Sequence, residues 1–255
     1  MTVMLQAASR QAADGWSTGR SPRTPFLLEH AEVINYEAPY SSPLWRGRKC
    51  ASASDFDNIA EVGCQPAASA RANRLNSAGS PLLYVSATQF ALFEELMIEE
   101  GEFIHVVAYS MSQRTMRAAL LGEYTSVARW GRAMMGDAMS NVLRGRLNAM
   151  PFEDAKRLLY IDAFLSSVLK DKGASASEYI RSRVLAELIF ERLPELDAIT
   201  YPGVALEGAM NIAFKPASAS RLLQDQYSSV LRLGRRYDYG VQDFELVRAA
   251  TGKSP

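Results

Sequence analysis

The chain has 255 residues, 48% of them hydrophobic and 22% charged, with 28 Lys plus Arg balanced against 28 Asp plus Glu. That length buries a core as one large domain or two small ones. A net charge of zero argues against general binding to nucleic acid or anionic membrane, which draws its affinity from a basic excess.

In chain order, residues 1–41 are rich in Ala, Ser, Pro and Arg and predict an extended or poorly ordered lead-in whose tip packs on the core. "SPLWRGRKC" (42–50) predicts a short strand with Leu44 and Arg46 on the face opposite Trp45. The following small, polar stretch reads as a loop with one helical turn over 57–62. "RLNSAGSPLLYVSATQFALFEEL" (74–96) is a polar loop, an apolar run and then a segment ending in two acids, Glu94 and Glu95. "EFIHVVAYSM" (102–111) is a second strand by its β-branched content. From about 114 to 193 the pattern is helical. Within it "FEDAKRLLYIDAFLSSVLKD" (152–171) places Phe152, Ala155, Leu158, Leu159, Ala163 and Leu165 near one face, with Gly173 as a stop. "SASEYIRSRVLAELIFERL" (175–193) turns Leu185, Leu188 and Ile189 inward behind Ser175 or Ser177 as N-cap. "AITYPGVALEGAMNIAFKP" (198–216) returns to strand and loop, residues 220–240 mix helical and strand signals, and 251–255 should fray. Strands flanking a helical middle, without visible βαβ alternation or repeats, predict an α+β fold in one domain over 42–250, with 114–172 as a helical insertion.

Several chemistries lack support. Only Cys50 and Cys64 are present, so a disulfide framework is not expected and a reducing compartment is. His30 and His105 are the only histidines, neither in a metal-binding or triad setting, and His105 alternates within an apolar strand as a packed histidine would. Neither phosphate-loop pattern occurs. The Arg235–Arg236 pair beside tyrosines reads as solvated surface, and so does most of the acid run 94–102. No apolar run approaches the roughly 20 residues of a membrane helix, and the opening residues lack a signal peptide's basic and apolar regions. A soluble cytoplasmic protein without metal is expected.

The segment Arg74-Leu-Asn76-Ser-Ala-Gly79-Ser-Pro81-Leu-Leu-Tyr84-Val-Ser resembles the signature of the RES domain family, an arginine-bearing, Gly/Pro loop leading into a Leu-Tyr strand. "FALFEEL" places Glu94 where the family's Ala-x-x-Glu acid stands, and "PLWRGRKC" makes Arg46 the first arginine. "SEYIRSRVLAELIFERLPELDAITYPG" is similar to the family's Tyr-x-x-Thr/Ser-x-x-x-x-Glu helix and Tyr-Pro-Ser segment, and "GAMNIAFKP" to its Asn-hydrophobic-Pro segment. The match runs over about 42–233, with the helical middle unmatched. The resemblance implies an ADP-ribosyltransferase-like fold in which small sheets form an NAD cleft. It implies a toxin that consumes NAD as phosphorylase or glycohydrolase, or transfers ADP-ribose to a protein. The implied partner is an Xre-type helix-turn-helix antitoxin.

The residue chemistry fits that expectation. Breaking the nicotinamide–ribose bond develops positive charge at the anomeric carbon, which a carboxylate stabilises; spacing from Ala91 favours Glu94, leaving Glu95 solvated. Arg46 and Arg74 offer bidentate grips on a pyrophosphate, Tyr84 a flat face and a hydroxyl, and Asn76 with Gly79 an open loop. Tyr201, Gly203 and Asn211 complete the expected NAD-contacting set. Two departures stand out: Gly203 replaces the motif's serine, and Ser77 replaces a proline. Either Ser182 supplies the missing hydroxyl, or the Gly203 backbone meets the ligand in an enlarged pocket, or activity has been lost or redirected to silent binding. A third reading makes 114–193, with its Met134–Met135 pair, a helical partner-binding scaffold, against the expectation that this segment packs on the sheet or shields the cleft.

Overall fold

Period-two patterning underlies the strands and period-3.6 patterning the helices of this computed structural model, whose described residues are 34–53, 59–111, 114–171, 173–177, 179–238 and 240–251. The order is β1 (Ile34–Pro39), β2 (Leu44–Cys50), α1 (Ile59–Val62), β3 (Leu83–Ser86), α2 (Gln89–Glu95), β4 (Phe103–Ser110), β5 (Thr115–Leu120), α3 (Glu123–Trp130), α4 (Asp137–Ala149), α5 (Phe152–Lys170), α6 (Ile180–Arg192), β6 (Ala198–Pro202), β7 (Met210–Phe214), α7 (Pro216–Leu222), β8 (Gln224–Arg236) and β9 (Gln242–Thr251). The fold is α+β, built on one mixed sheet of nine strands in the order β1-β5-β6-β7-β3-β2-β4-β8-β9.

That sheet is continuous in name but weakly joined at one place. Seven residue pairs link β2 to β4 and four link β3 to β7, whereas β2 and β3 share the single pair Trp45↔Ser86. In place of the separate small sheets expected, the strands form one sheet whose two halves meet at a narrow seam. On one face, called the back here, a single core crosses the seam. It takes Leu44 from β2, Leu83 and Val85 from β3, Val107 and Tyr109 from β4, and Met116, Ala118 and Leu120 from β5. On the front face the apolar residues divide into two clusters. One gathers Ile199 and Tyr201 of β6, Ala213 of β7 and the inner sides of α5 and α6. The other gathers Ile104 and Val106 of β4, Leu231 and Leu233 of β8, and Leu92 and Phe93 of α2. Strand alternation sends Leu44 to the back and Trp45 to the front, as expected.

Several expectations need correction. The lead-in over 1–41 lies mostly outside the described residues, but its last part is β1, paired with β5 over six positions and burying Tyr36 and Ala38. Its small residues and proline mask the alternation, and an edge position tolerates Pro39. Residues 115–120 are not helical. They form β5, whose Met116, Ala118 and Leu120 alternate into the back core. β5 runs parallel to β6, so α3–α6 together make the crossover that a parallel pair requires, and one βαβ unit exists after all. As expected, the 114–172 segment packs on the sheet, through Tyr124, Val127, Leu143 and Leu158 on the back and Ile161, Leu165 and Leu169 on the front.

In α5 the buried set is Leu158, Ile161, Asp162, Leu165, Ser166 and Leu169, whereas Phe152 is 78% exposed. Asp162 is inside because it has partners: it accepts from the amides of Gly122 and Thr125, both at 2.8 Å, and from the Thr125 hydroxyl at 2.7 Å. It thereby caps α3, whose own N-cap, Gly122, has no side chain to do so. Glu123 is likewise buried, its two oxygens accepting from Met134 N at 2.7 Å and Met135 N at 3.0 Å. The Met134–Met135 pair is thus tied down and packed against the back core. α6 starts at Ile180 behind Tyr179, not behind either serine. The ambiguous C-terminal stretch resolves into α7 and the long β8–β9 hairpin; Thr251 ends β9, and 252–255 lie outside the described residues. His105 is buried and shares a 3.1 Å hydrogen bond with Ser228 Oγ. Among the described residues no helix is long and apolar enough to cross a membrane.

Candidate functional site

On the front face the two apolar clusters leave a polar strip along the β3–β2 seam. β3 points Tyr84 and Ser86 into it, β7 points Asn211, β6 points Tyr201 and β2 points Trp45, because cross-strand partners share a face. α2 reaches the strip from the side. Its Thr88 Oγ1 accepts from Ala91 N at 3.2 Å, setting the first turn, and Leu92 with Leu96 packs over Gly47.

The two acids at the end of α2 then diverge, since one residue turns a helix by about 100°. Glu95 follows buried Ala91 by one turn; Glu94 follows Phe90, which is 41% exposed. Glu95 Oε1 accepts from Val204 N at 2.6 Å, Ala205 N at 3.3 Å and Asn211 Nδ2 at 3.1 Å. Asn211 is oriented by Ser86, whose hydroxyl donates to Asn211 Oδ1 at 2.6 Å. Glu95 Oε2 accepts no hydrogen bond from the described residues. Glu94 faces the other way, toward the β8–β9 hairpin, where it meets Arg236 Nη1 at 3.3 and 3.4 Å and the Gln242 side-chain amide. It lines two adjoining cavities of about 520 and 450 Å³ there. The frame that spacing favoured is therefore reversed at the Gly203 loop: Glu95 is the acid that docks on it, and Glu95 is not simply solvated.

Gly203 leaves room for this docking. A Cβ at 203 would stand 3.2 Å from Glu95 Oε1, 3.1 Å from Leu206 O and 3.0 Å from Ala209 Cβ. The carboxylate occupies the space into which a motif serine would project.

Arg74, Asn76, Tyr84, Ser182, Tyr201 and Asn211 gather around this front strip, whereas Arg46 lies on the back face with Leu44 and Val107; several of these residues are committed to holding the structure. Arg46 donates from Nε to Val62 O and from Nη1 to Tyr84 O, both at 3.0 Å. Its guanidinium thus bridges the seam where ladder bonds are missing, and burial lowers its pKa. Arg74 donates to Leu169 O at 2.8 Å and Asp171 O at 3.1 Å and lies over the Tyr179 ring. Asn76 Nδ2 donates to Arg71 O and Ser77 O, both at 3.0 Å, and its Oδ1 accepts from the Tyr84 hydroxyl at 2.8 Å. Tyr84 also accepts from Leu75 N at 3.0 Å, and desolvation raises its pKa. Ser182 Oγ donates to Arg74 O at 2.6 Å, with Tyr179 O at 3.1 Å, so it does not replace the missing serine. These groups brace the 74–84 loop and strand rather than reaching for a ligand.

Tyr201 differs. Its hydroxyl makes no hydrogen bond to the described residues, and its pKa is pushed well up by burial, with Tyr84 and Glu95 adding and Arg74 and Arg46 opposing. Glu95 Oε2 and the Tyr201 hydroxyl are the polar atoms that this strip leaves without a hydrogen bond among the described residues, between the half-buried Tyr84 and Trp45 rings, which pack against the two front clusters. Sequence reasoning weighed Glu95 but set it aside as solvated, and it assigned no role to Ser86 or Trp45. The four-residue step from small, buried Ala91 to Glu95 was the available signal. Comparison of the chain with known protein families finds no match, and comparison with curated proteins finds none.

Proposed function

We propose that the chain cleaves the nicotinamide–ribose bond of NAD, as RES-type toxins do, on an ADP-ribosyltransferase-like arrangement of the two half-sheets. The observation that carries this reading is the Glu95 carboxylate. Three donors pin one oxygen and the other accepts no hydrogen bond from the described residues, beside a free tyrosine hydroxyl and two aromatic faces. A carboxylate held in place without reorganisation is suited to a cation that develops during reaction. In the step proposed, the C1′–N bond breaks and its electron pair goes to the nicotinamide ring nitrogen, which becomes neutral. The resulting oxocarbenium faces Glu95 and is taken by an oxygen of water or phosphate, the water's proton passing to solvent. The Tyr84 or Trp45 ring stacks on nicotinamide or adenine. On this reading the protein is a cytoplasmic toxin whose partner is an Xre-type antitoxin that covers the strip. Incubating the protein with NAD, with and without phosphate, and resolving ADP-ribose, its 1″-phosphate and nicotinamide tests the reading, and intact NAD beside an active control rejects it.

A second reading, a silent nucleotide-binding module, is favoured by one observation: Arg46 and Arg74 already donate to backbone carbonyls. Saturable NAD binding by calorimetry with no turnover would select it.

A further inference from the structure

α6 meets the 74–77 segment at two points. Ser182 donates to Arg74 O at 2.6 Å, and Glu187 accepts from Ser77 Oγ at 2.7 Å. Arg183 stands on the helix between them, one turn before Glu187. It is partly buried and its Nε is shut off from solvent without an acceptor. The rest of its side chain also makes no hydrogen bond, ion pair or ring contact with the described residues. Glu187, correctly spaced for an ion pair, is turned to Ser77 instead. Among the described residues the other half-buried arginines have partners: Arg46 on two carbonyls, Arg74 on two carbonyls and a ring, Arg48 on Glu61 O, and Arg146 likewise engaged.

An arginine stays charged at any working pH, and withdrawing part of it from water without a counter-charge is unfavourable. The neighbouring loop has groups of matching chemistry. The amides of Ser77 and Ala78 donate to no acceptor among the described residues. Gly79 turns the chain at φ +80° with open space where a side chain would stand. A planar guanidinium fork with adjacent backbone N–H groups is the combination that recognises tetrahedral oxyanions.

We propose that Arg183 is the cation of a phosphate-binding site where α6 flanks residues 77–79, with the Ser77 and Ala78 amides as further donors. The phosphate belongs either to the pyrophosphate of a dinucleotide or to free inorganic phosphate. The dinucleotide source rests on the function proposed above; the oxyanion site does not.

Thermal melts and calorimetry with inorganic phosphate and, separately, ADP-ribose test it, using the wild-type chain, Arg183→Met and, as a charge control, Arg181→Met on the exposed side of the same helix. Without ligand, Arg183→Met melts at or above the wild-type temperature, because the cation it removes held nothing. Wild type binds at least one of the two ligands, Arg183→Met loses about tenfold or more in affinity, and Arg181→Met does not. A response to inorganic phosphate identifies the free anion as the source; a response to ADP-ribose alone identifies the pyrophosphate. The proposal is overturned if wild type binds neither ligand, if Arg183→Met binds like wild type, or if Arg183→Met alone lowers the ligand-free melting temperature by several degrees. Arg183-dependent phosphate binding in a chain that leaves NAD intact would remove the cleavage reading and keep the site.

Discussion

Replacing Gly203 with alanine puts one methyl group into the contact between α2 and the β6–β7 loop. The added carbon would lie 3.0 Å from Ala209 Cβ, 3.1 Å from Leu206 O and 3.2 Å from Glu95 Oε1. All three are closer than comfortable van der Waals separation, and two of them belong to the loop itself. Overpacking on this scale costs about 1–3 kcal/mol. The alternative, withdrawal of the carboxylate, leaves Val204 N and Ala205 N without their acceptor, a loss of similar size at about 1–3 kcal/mol. For a chain of this length each kcal/mol lowers the melting temperature by about 2–4 °C. Melts of wild type, Gly203→Ala, Glu95→Ala and the double variant form a cycle that isolates the Glu95 contact. The alanine should cost less once the carboxylate is gone, with a coupling of about 0.5–1.5 kcal/mol. A Gly203→Ala chain as stable as wild type, or strictly additive effects, would refute the idea that glycine at 203 makes room for Glu95.

Arg46→Ala removes the donor that spans the β2–β3 seam, leaving Val62 O and Tyr84 O unsatisfied; urea denaturation should show a loss of about 2–4 kcal/mol, and Arg46→Lys, a point donor without the fork, should recover only part of it. The Glu123 carboxyl is pushed up to about 7, chiefly by burial. Since the folded state then holds a proton that the unfolded chain has released, this group's contribution is present below its ordinary value of 4.5 and is lost as pH rises toward about 7. The stability difference between wild type and Glu123→Gln, followed by denaturation across that window, should fall with rising pH by up to about 1.4 kcal/mol per unit, and a flat difference would count against it. Phe152→Ser should change stability by less than about 0.5 kcal/mol because the ring is 78% exposed, whereas Leu165→Ala, in the front core at 4% exposure, should cost about 2–5 kcal/mol; chemical denaturation ranks the two.

The sequence showed the strands whose alternation is strong, β2 through Trp45 and β4 through Ile104 and Val106, and the inward face of α6. It hid β1 and β5, because alanine, threonine and arginine between single apolar residues look the same in a helical or an extended pattern until neighbouring strands select one. It also misjudged α5, where Asp162 faces inward: a buried acid is intelligible only once the amides of Gly122 and Thr125 are known to converge on it. At the site, the motif residues of β3, β6 and β7 came together on the front face, whereas Arg46 of β2 points to the back. Their roles were not legible, since whether Arg74, Asn76 and Ser182 face a ligand or brace a loop depends on which carbonyls lie within 3 Å, a property of the fold and not of the motif. The choice between Glu94 and Glu95 turned on one residue of helical phase, finer than motif spacing resolves.

Nicotinamide release from NAD by wild type, Glu95→Gln and Glu94→Gln under identical conditions bears most directly on this account. Wild type should release nicotinamide, Glu95→Gln should be slower by about 100-fold or more, and Glu94→Gln, which loses a partly exposed contact with Arg236, should stay within about tenfold of wild type. Loss of activity in Glu94→Gln with Glu95→Gln intact would place the chemistry on the hairpin side of α2, and a wild-type chain that leaves NAD untouched would contradict the proposed function itself.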